Sequence, residues 1–231
     1  MLTVEAARIT QGGFELRADL TVRPDRVTAV IGPSGAGKST LLSAIAGFVP
    51  LSAGRLMIEE VDHTQSKPAD RPVSIVFQDG NLFPHLTVLQ NVALGLRPSL
   101  RLPDPEIEAV RKAIQWVGLA GLEDRKPAAL SGGQQSRVAL ARVLLRDTPF
   151  VLLDEPFAAL GPALKREMLE LVRRIQIEHG RSILMVTHDA RDAEQFADEV
   201  IFVADQAVSP PVAASELFAD PPDAFRAYLG T

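Results

Sequence analysis

Residues Gly32-Pro-Ser-Gly-Ala-Gly-Lys-Ser-Thr40 have the spacing G-x-x-x-x-G-K-[ST], with an apolar run, Val27 to Ile31, before them and Leu41, Leu42 and Ile45 after. A strand, a glycine-rich turn and a helix in that order converge backbone N–H groups on phosphate oxygens at the positive end of a helix dipole. Lys38 offers a full charge to the outer phosphates, and the Ser39 hydroxyl suits Mg²⁺. Gly32, Pro33, Ser34, Gly35, Ala36, Gly37, Lys38, Ser39 and Thr40 are therefore the expected nucleotide contacts. A second constellation lies in FVLLDEPFAALGPA, where Phe150 to Leu153 set four apolar residues against Asp154 and Glu155. Carboxylates at the end of a buried strand need compensation. Beside a phosphate loop, Asp154 can reach the Mg²⁺ shell and Glu155 can orient an attacking water. The other reading is that both acids complement the dipole of the next helix. A third stretch, Leu130-Ser-Gly-Gly-Gln134, precedes an expected helix over Ser136 to Arg146, and reads as an anion-suited loop or as an ordinary one.

Alternation predicts a half-buried strand over Phe14 to Val22. Val27 to Ile31, Val73 to Phe77, Phe150 to Leu153, Ser182 to Thr187 and Val200 to Val203 are compact apolar runs of the kind found in buried parallel strands. Ile107, Val110, Ile114 and Val117 have helical spacing after Asp104 as N-cap and Pro105 in the first turn, with Gly118 as a stop. Leu164, Met168, Leu171, Val172 and Ile175 form another stripe, closed by His179-Gly180. Strands alternating with helices predict an α/β domain. The stretch 79–145 shows helical patterns and no strand, so it reads as a helical subdomain inserted into a core of 1–78 and 146–208. A tail, 209–231, is rich in Pro and Ala and carries one helical stretch.

The chain has 231 residues, enough for one large α/β domain, and a formal charge of -5, which argues against nucleic acid as the main partner. It has no cysteine, which excludes disulfides, thiolate metal sites and thiol catalysis. His63, His85 and His179 have no metal-ligand spacing, which argues against zinc. MLTVEAARIT has no basic region followed by an apolar core, so no signal peptide is expected, and no apolar run approaches the ~18 residues of a membrane span. The expectation is a soluble protein that needs a partner to hold it at a membrane.

Taken together and in order, the motifs resemble those of the nucleotide-binding subunits of ABC transporters over essentially the whole chain. GPSGAGKST is similar to the Walker A loop, Gln78 in VFQDGNLFPHLTV to the Q-loop, and LSGGQ to the family signature. FVLLDEP is similar to Walker B with its adjacent glutamate, and His188 in LMVTHD to the switch histidine. The resemblance implies a P-loop NTPase core of ABC type with an antiparallel β subdomain and an inserted helical subdomain. It also implies Mg²⁺-dependent ATP hydrolysis. Glu155, His188 and Gln78 would be catalytic, and Ser39, Gln78 and Asp154 would hold the metal. Each ATP would lie between the Walker A loop of one copy and Ser131, Gly132, Gly133 and Gln134 of a second, in a head-to-tail homodimer. The segment 79–96, with Leu82, Phe83 and Leu86, would receive integral-membrane permease subunits at the cytoplasmic face of the inner membrane. An external solute-binding protein would be an indirect partner.

The stretch 61–100 looks most like thiamine importer ATPases in its DHT, RPVS, NLF and LGL elements. A cassette for another small solute (an inorganic anion, a metal or a polyamine) and a weakly hydrolysing, nucleotide-responsive cassette are the alternatives. A soluble relative acting on DNA or ribosomes would need a coiled-coil insertion or tandem cassettes. Three positions depart from the family pattern. Gln11 stands where an aromatic would stack on adenine, with Phe14 nearby but expected in the core. Ser136 replaces a polar helix residue. Gly161 replaces the aspartate of the turn after Walker B.

Overall fold

The computed structural model describes residues 1–78 and 80–230. In chain order the elements are β1 (Leu2–Gln11), β2 (Phe14–Val22), β3 (Val27–Ile31), α1 (Lys38–Ala46), β4 (Ala53–Ile58), β5 (Val61–Asp62) and β6 (Val73–Val76). Three helices follow, α2 (Val88–Ala93), α3 (Asp104–Trp116) and α4 (Gly132–Leu145). The chain then returns through β7 (Phe150–Asp154), α5 (Pro162–His179), β8 (Ser182–Val186), α6 (Ala190–Phe196) and β9 (Glu199–Ala204). It ends with β10 (Ala207–Val208), β11 (Val212–Ala213), α7 (Ala214–Ala219) and α8 (Asp223–Leu229).

Among the described residues the strands run in the order β5-β4-β1-β2-β10-β9-β3-β8-β7-β6, with β11 beside β9. The half from β9 to β6 is parallel, whereas β1, β2, β4 and β5 pair antiparallel. Strand β10 joins the halves, parallel to β2 and antiparallel to β9. Every residue of β3 and β8 is buried, as parallel strands covered on both faces require. One core beneath α1 holds Leu41, Leu42 and Ile45 with Leu152 and Leu184. Another joins α2, α3, α4 and α5 to the opposite face through Val151, Leu153 and Met185.

Register fixes where chemistry can occur. Ile31 ends β3, and Asp154 in β7 lies opposite Val186 in β8, which pairs on its other side with Val30. The carboxyl ends of three central strands thus open on one edge, the place where open α/β sheets bind ligands.

Several elements differ from the sequence expectation for local reasons. Strand β1 has a bulge between Val4 and Ala7, with Ala6 at φ 43°, so its buried positions switch from Leu2 and Val4 to Ala7 and Ile9. That shift erases the period-two signal on which strand reading depends. Helix α4 begins at Gly132 rather than Ser136, with Ser131 as N-cap, so the glycine pair is the helix's first turn and not a loop before it. In α3, Pro103 is the N-cap and Asp104 the first helical residue, one position from expectation. The tail forms two helices, because Pro221-Pro222 separates α7 from α8.

Candidate nucleotide-binding and hydrolytic site

The loop between β3 and α1 folds as its glycines demand. Gly37 caps α1 at φ 107°, and a Cβ on Gly32 would lie 2.0 Å from the Val203 carbonyl oxygen. Ala36 N–H donates to the Pro33 carbonyl, tightening the turn. No side chain caps α1 and no acid lies in its first turn, so its leading amides keep their positive field for an anion. The buried Lys38 ammonium folds back on the loop and donates to the Gly32 and Pro33 carbonyls at 2.9 and 2.8 Å. Burial holds its pKa below the ordinary lysine value, against the pull of Glu155 and Asp154.

An open pocket of about 510 Å³ lies over this loop, lined by Ser34, Gly35, Gly37, Lys38, Ser39 and Thr40, with Glu155 on one side and Gln11 and Phe14 on another. That volume lies within the range of ordinary ligand sites, ~300–1,000 Å³. Phe14 does both things that its position allows. It is half-buried against the core under α1 while its ring edge supports Gly37 and borders the pocket.

Ser39 Oγ donates to Asp154 Oδ1 at 2.8 Å, so two of the three expected metal ligands already touch. Burial raises the Asp154 pKa above the usual carboxylate value and the Glu155 charge adds to the rise, while the Ser39 hydrogen bond and Lys38 oppose it. Hydroxyl and carboxylate oxygens beside a phosphate pocket form the hard donor set that Mg²⁺ prefers. Among the described residues no three His, Cys, Asp or Glu side chains gather as a metal cage. The Ser39 and Asp154 oxygens suit an ion that takes one or two protein ligands and completes its shell with phosphate and water.

Glu155 follows directly. Its backbone is left-handed at φ 45°, and its N–H donates to the Val186 carbonyl at 3.2 Å, which turns the chain sharply off the end of β7. A non-glycine residue in that region is strained, and here the strain brings the carboxylate to the pocket wall. His188 Nδ1 lies 3.2 Å from Glu155 Oε2. The adjoining loop is braced by Lys165 of α5, paired with Asp192 at 2.5 Å and with Asp189 at 3.1 Å, and by Thr187 Oγ1 donating to Asp192. Burial opposes the charge on Lys165, but the hydrogen bonds it donates to both acids prevail and raise its pKa. Lys165 N–H also donates to the Gly161 carbonyl, so one residue links the turn after β7 to the loop of His188.

Ser131 to Gln134 lie apart from the chain's own phosphate pocket. Ser131 and Gln134 form a reciprocal capping box, Gln134 N–H to Ser131 Oγ at 3.3 Å and Ser131 N–H to Gln134 Oε1 at 3.0 Å. Ser131 and Gly132 are exposed, while Gly133 is buried beneath Leu164. Gln78 is likewise outside the phosphate pocket. It lines a neighbouring cleft between α4 and the turn Pro156–Leu160. Arg142 of α4 holds the backbone just past it, donating to the Gly80 and Asn81 carbonyls at 2.9 and 2.8 Å. Arg142 and Lys165 were not legible as functional from sequence. Each acts through a backbone or loop contact across long separation, and a lone cation on a helix carries no such signal.

A curled α/β sheet with a phosphate loop at β3–α1, two acids ending β7 and an isolated serine-glycine helix start defines a nucleotide-binding cassette. The profile of the family described as ABC transporter matches residues 16–158, and the chain belongs to that family. It is 55% identical over 230 residues to the thiamine import ATP-binding protein ThiQ of Ruegeria sp., covering 100% of both chains. It is 51% identical to the protein of the same name from Jannaschia sp., covering 99% of this chain and 100% of that one. Among solved structures, the ADP conformation of MJ1267, a cassette of an ABC transporter, superposes with a TM-score of 0.88 at 25% identity over 100% of this chain and 99% of the other. The dimeric, post-hydrolysis cassette MJ0796 bound to ADP and Pi gives 0.79 at 27% identity, covering 93% and 99%.

Proposed function

We propose that this chain is the ATP-hydrolysing subunit of a thiamine importer. The hydrolytic part rests on one arrangement: Glu155, turned onto the wall of the phosphate pocket by its left-handed backbone and paired with His188. The solute rests on 55% identity along the whole chain to thiamine import ATP-binding proteins.

In this reading the amides of 32–37, the start of α1 and Lys38 bind the phosphates, and Lys38 leaves its two carbonyl partners to do so. Ser39 and Asp154 would hold Mg²⁺, which supplies neutralisation of phosphate charge when bound. Glu155 takes a proton from the attacking water or orients it, and His188 fixes the carboxylate through Oε2. Gln78 enters as a sensor beside the metal when the cleft next to α4 rearranges. Ser131, Gly132, Gly133 and Gln134 act on the nucleotide of a second copy, head to tail, because they do not line their own chain's pocket.

The segment 79–96 is the proposed contact for membrane subunits. Asp79 lies outside the described residues. Asn91 is buried and staples the rest, its amide donating to the Phe83, Leu86 and Thr87 carbonyls and its oxygen accepting from Phe83 N–H. Phe83 is thereby held 47% exposed, while Leu82 and Leu86 are half-buried. Among the described residues no helix is long and apolar enough to cross a membrane, so the proposed location on the cytoplasmic face is peripheral.

The test is reconstitution with integral-membrane permease subunits of a thiamine importer. Mg²⁺-dependent ATPase activity is expected, stimulated by thiamine with its binding protein. Glu155→Gln should abolish turnover and accumulate an ATP-bound dimer on gel filtration; unchanged turnover removes the assigned role. Stimulation by an anion, metal or polyamine instead of thiamine overturns the solute.

A further inference from the structure

The tail has a use that the motifs do not account for. Strand β11 pairs with β9, and α7 and α8 then fold over β9, forming a third core with Ala29 and Ile31 of β3 and Ala193 of α6. Phe225 is buried at its centre, with its ring 5.2 Å from Phe202 and 5.3 Å from Phe218. Tyr228, one turn further along α8, packs on Phe202 at 5.7 Å and on Phe225 at 6.0 Å. It is the only tyrosine in the chain. The register of β3 and β9 puts Ile31 beside Phe202, so this aromatic cluster backs the strand end from which the phosphate loop departs.

The rings seat Tyr228 so that its hydroxyl leaves the cluster and donates to the His188 carbonyl at 3.2 Å. The Gly32 backbone, at the start of the phosphate loop, interacts with the same oxygen. Burial raises the phenol's pKa above its ordinary value, and the charges of Asp189 and Glu155 add to that rise. The hydroxyl therefore stays protonated as a donor.

We propose that Tyr228 is a positioning residue for hydrolysis, its hydroxyl holding the His188 backbone so that the imidazole meets Glu155. The proposal rests on the reading of Glu155 and His188 given above. Lys165, Asp189 and Asp192 brace the loop from the α5 side; Tyr228 braces it from the α8 side. One hydrogen bond of ordinary strength, lost where it sets geometry, corresponds to a fall of about three- to tenfold in rate.

Tyr228→Phe deletes the hydroxyl and keeps every ring contact. In the full-length chain with Mg²⁺ and ATP, kcat is expected to fall about three- to tenfold with KM for ATP within about twofold, since Lys38 and the glycines that shape the phosphate loop stay in place. The Tm should stay within about 2 °C, because the packed cluster remains. His188→Ala serves as the reference. Wild-type turnover in Tyr228→Phe beside a crippled His188→Ala overturns the proposal alone. A loss confined to KM, or one accompanied by a Tm drop of more than about 5 °C, assigns the hydroxyl to binding or folding and also overturns it. Wild-type turnover in His188→Ala removes the reading beneath it.

Discussion

Asp154 and Lys38 are both held in forms that burial disfavours. Desolvation pushes the lysine down and the aspartic acid up, and each partly offsets the other. The folded-state pKa of Asp154 lies above its unfolded value, so the folded chain takes up this proton first as pH falls. The cost of burying the carboxylate is therefore full above the raised pKa and gone below the ordinary value near about 3.9. Asp154→Asn keeps an acceptor for Ser39 and removes the charge. It is expected to raise the Tm of the nucleotide-free cassette near neutral pH, with the gain shrinking as pH falls through the carboxylate range. The same variant should lose the Mg²⁺-dependent part of stabilisation by ATP, which for the wild type reaches about 2.7 kcal/mol at a hundred times Kd. Differential scanning with and without Mg²⁺ reads both effects; a lower Tm in the nucleotide-free variant would refute the sign. Asp154 and Glu155 were legible in the sequence because their types and spacing are local. The Glu155–His188 contact depends on residues 33 positions apart and on a left-handed backbone that sequence does not announce.

Helix α5 shows how an element carries a sequence departure into function. Its N-cap is Gly161 at φ -67°, ψ 160°, ordinary extended backbone, with no side-chain cap and nothing within 4 Å of an added Cβ. Aspartate fits that geometry without strain, and its carboxylate can accept from the amides of the first turn. Gly161→Asp is expected to stabilise by a few tenths of a kcal/mol, a Tm rise of about 1 °C. Because Lys165 ties the same turn to the loop of His188, turnover in the assembled transporter should also rise modestly. Equal rates for the two forms would show the glycine to be neutral. The fully buried strands β3 and β8 declared themselves through unbroken apolar runs. Strand β1 did not, since its bulge breaks alternation, and β5, β10 and β11 are two-residue pairings too short to show a period. Helix α4 was legible in its body but not at its start, because a glycine pair reads as a loop until Ser131 and Gln134 are seen to cap it.

At the scale of the molecule, the described residues of the helical stretch between β6 and β7 pack into the core of the sheet. Val88, Val110, Ile114 and Val138 share one continuous core with Val151 and Leu153 of the sheet and Met168 and Val172 of α5. At the edge of that seam lies the single tryptophan. Trp116 Nε1 donates to Glu178 Oε2 at 3.0 Å, Arg174 stacks over the indole at 4.6 Å from its centre, and His179 meets it edge-on at 5.1 Å. Its emission therefore reports the contact between α3 and α5, whereas far-UV circular dichroism reports the whole chain. A shared core ties the melting of the helices to that of the sheet, because opening the seam exposes both sides at once. The two probes are expected to give coincident midpoints, within about 2 °C, and to move together when Mg²⁺ and ATP are added. Arg174→Ala strips the stacking cation from the indole and leaves the core intact. It should change the emission spectrum while lowering both midpoints equally and only slightly, as loss of a half-exposed pair does. A fluorescence transition several degrees below the dichroism transition would show the helical stretch melting by itself, and the shared core would then not be what joins it to the sheet.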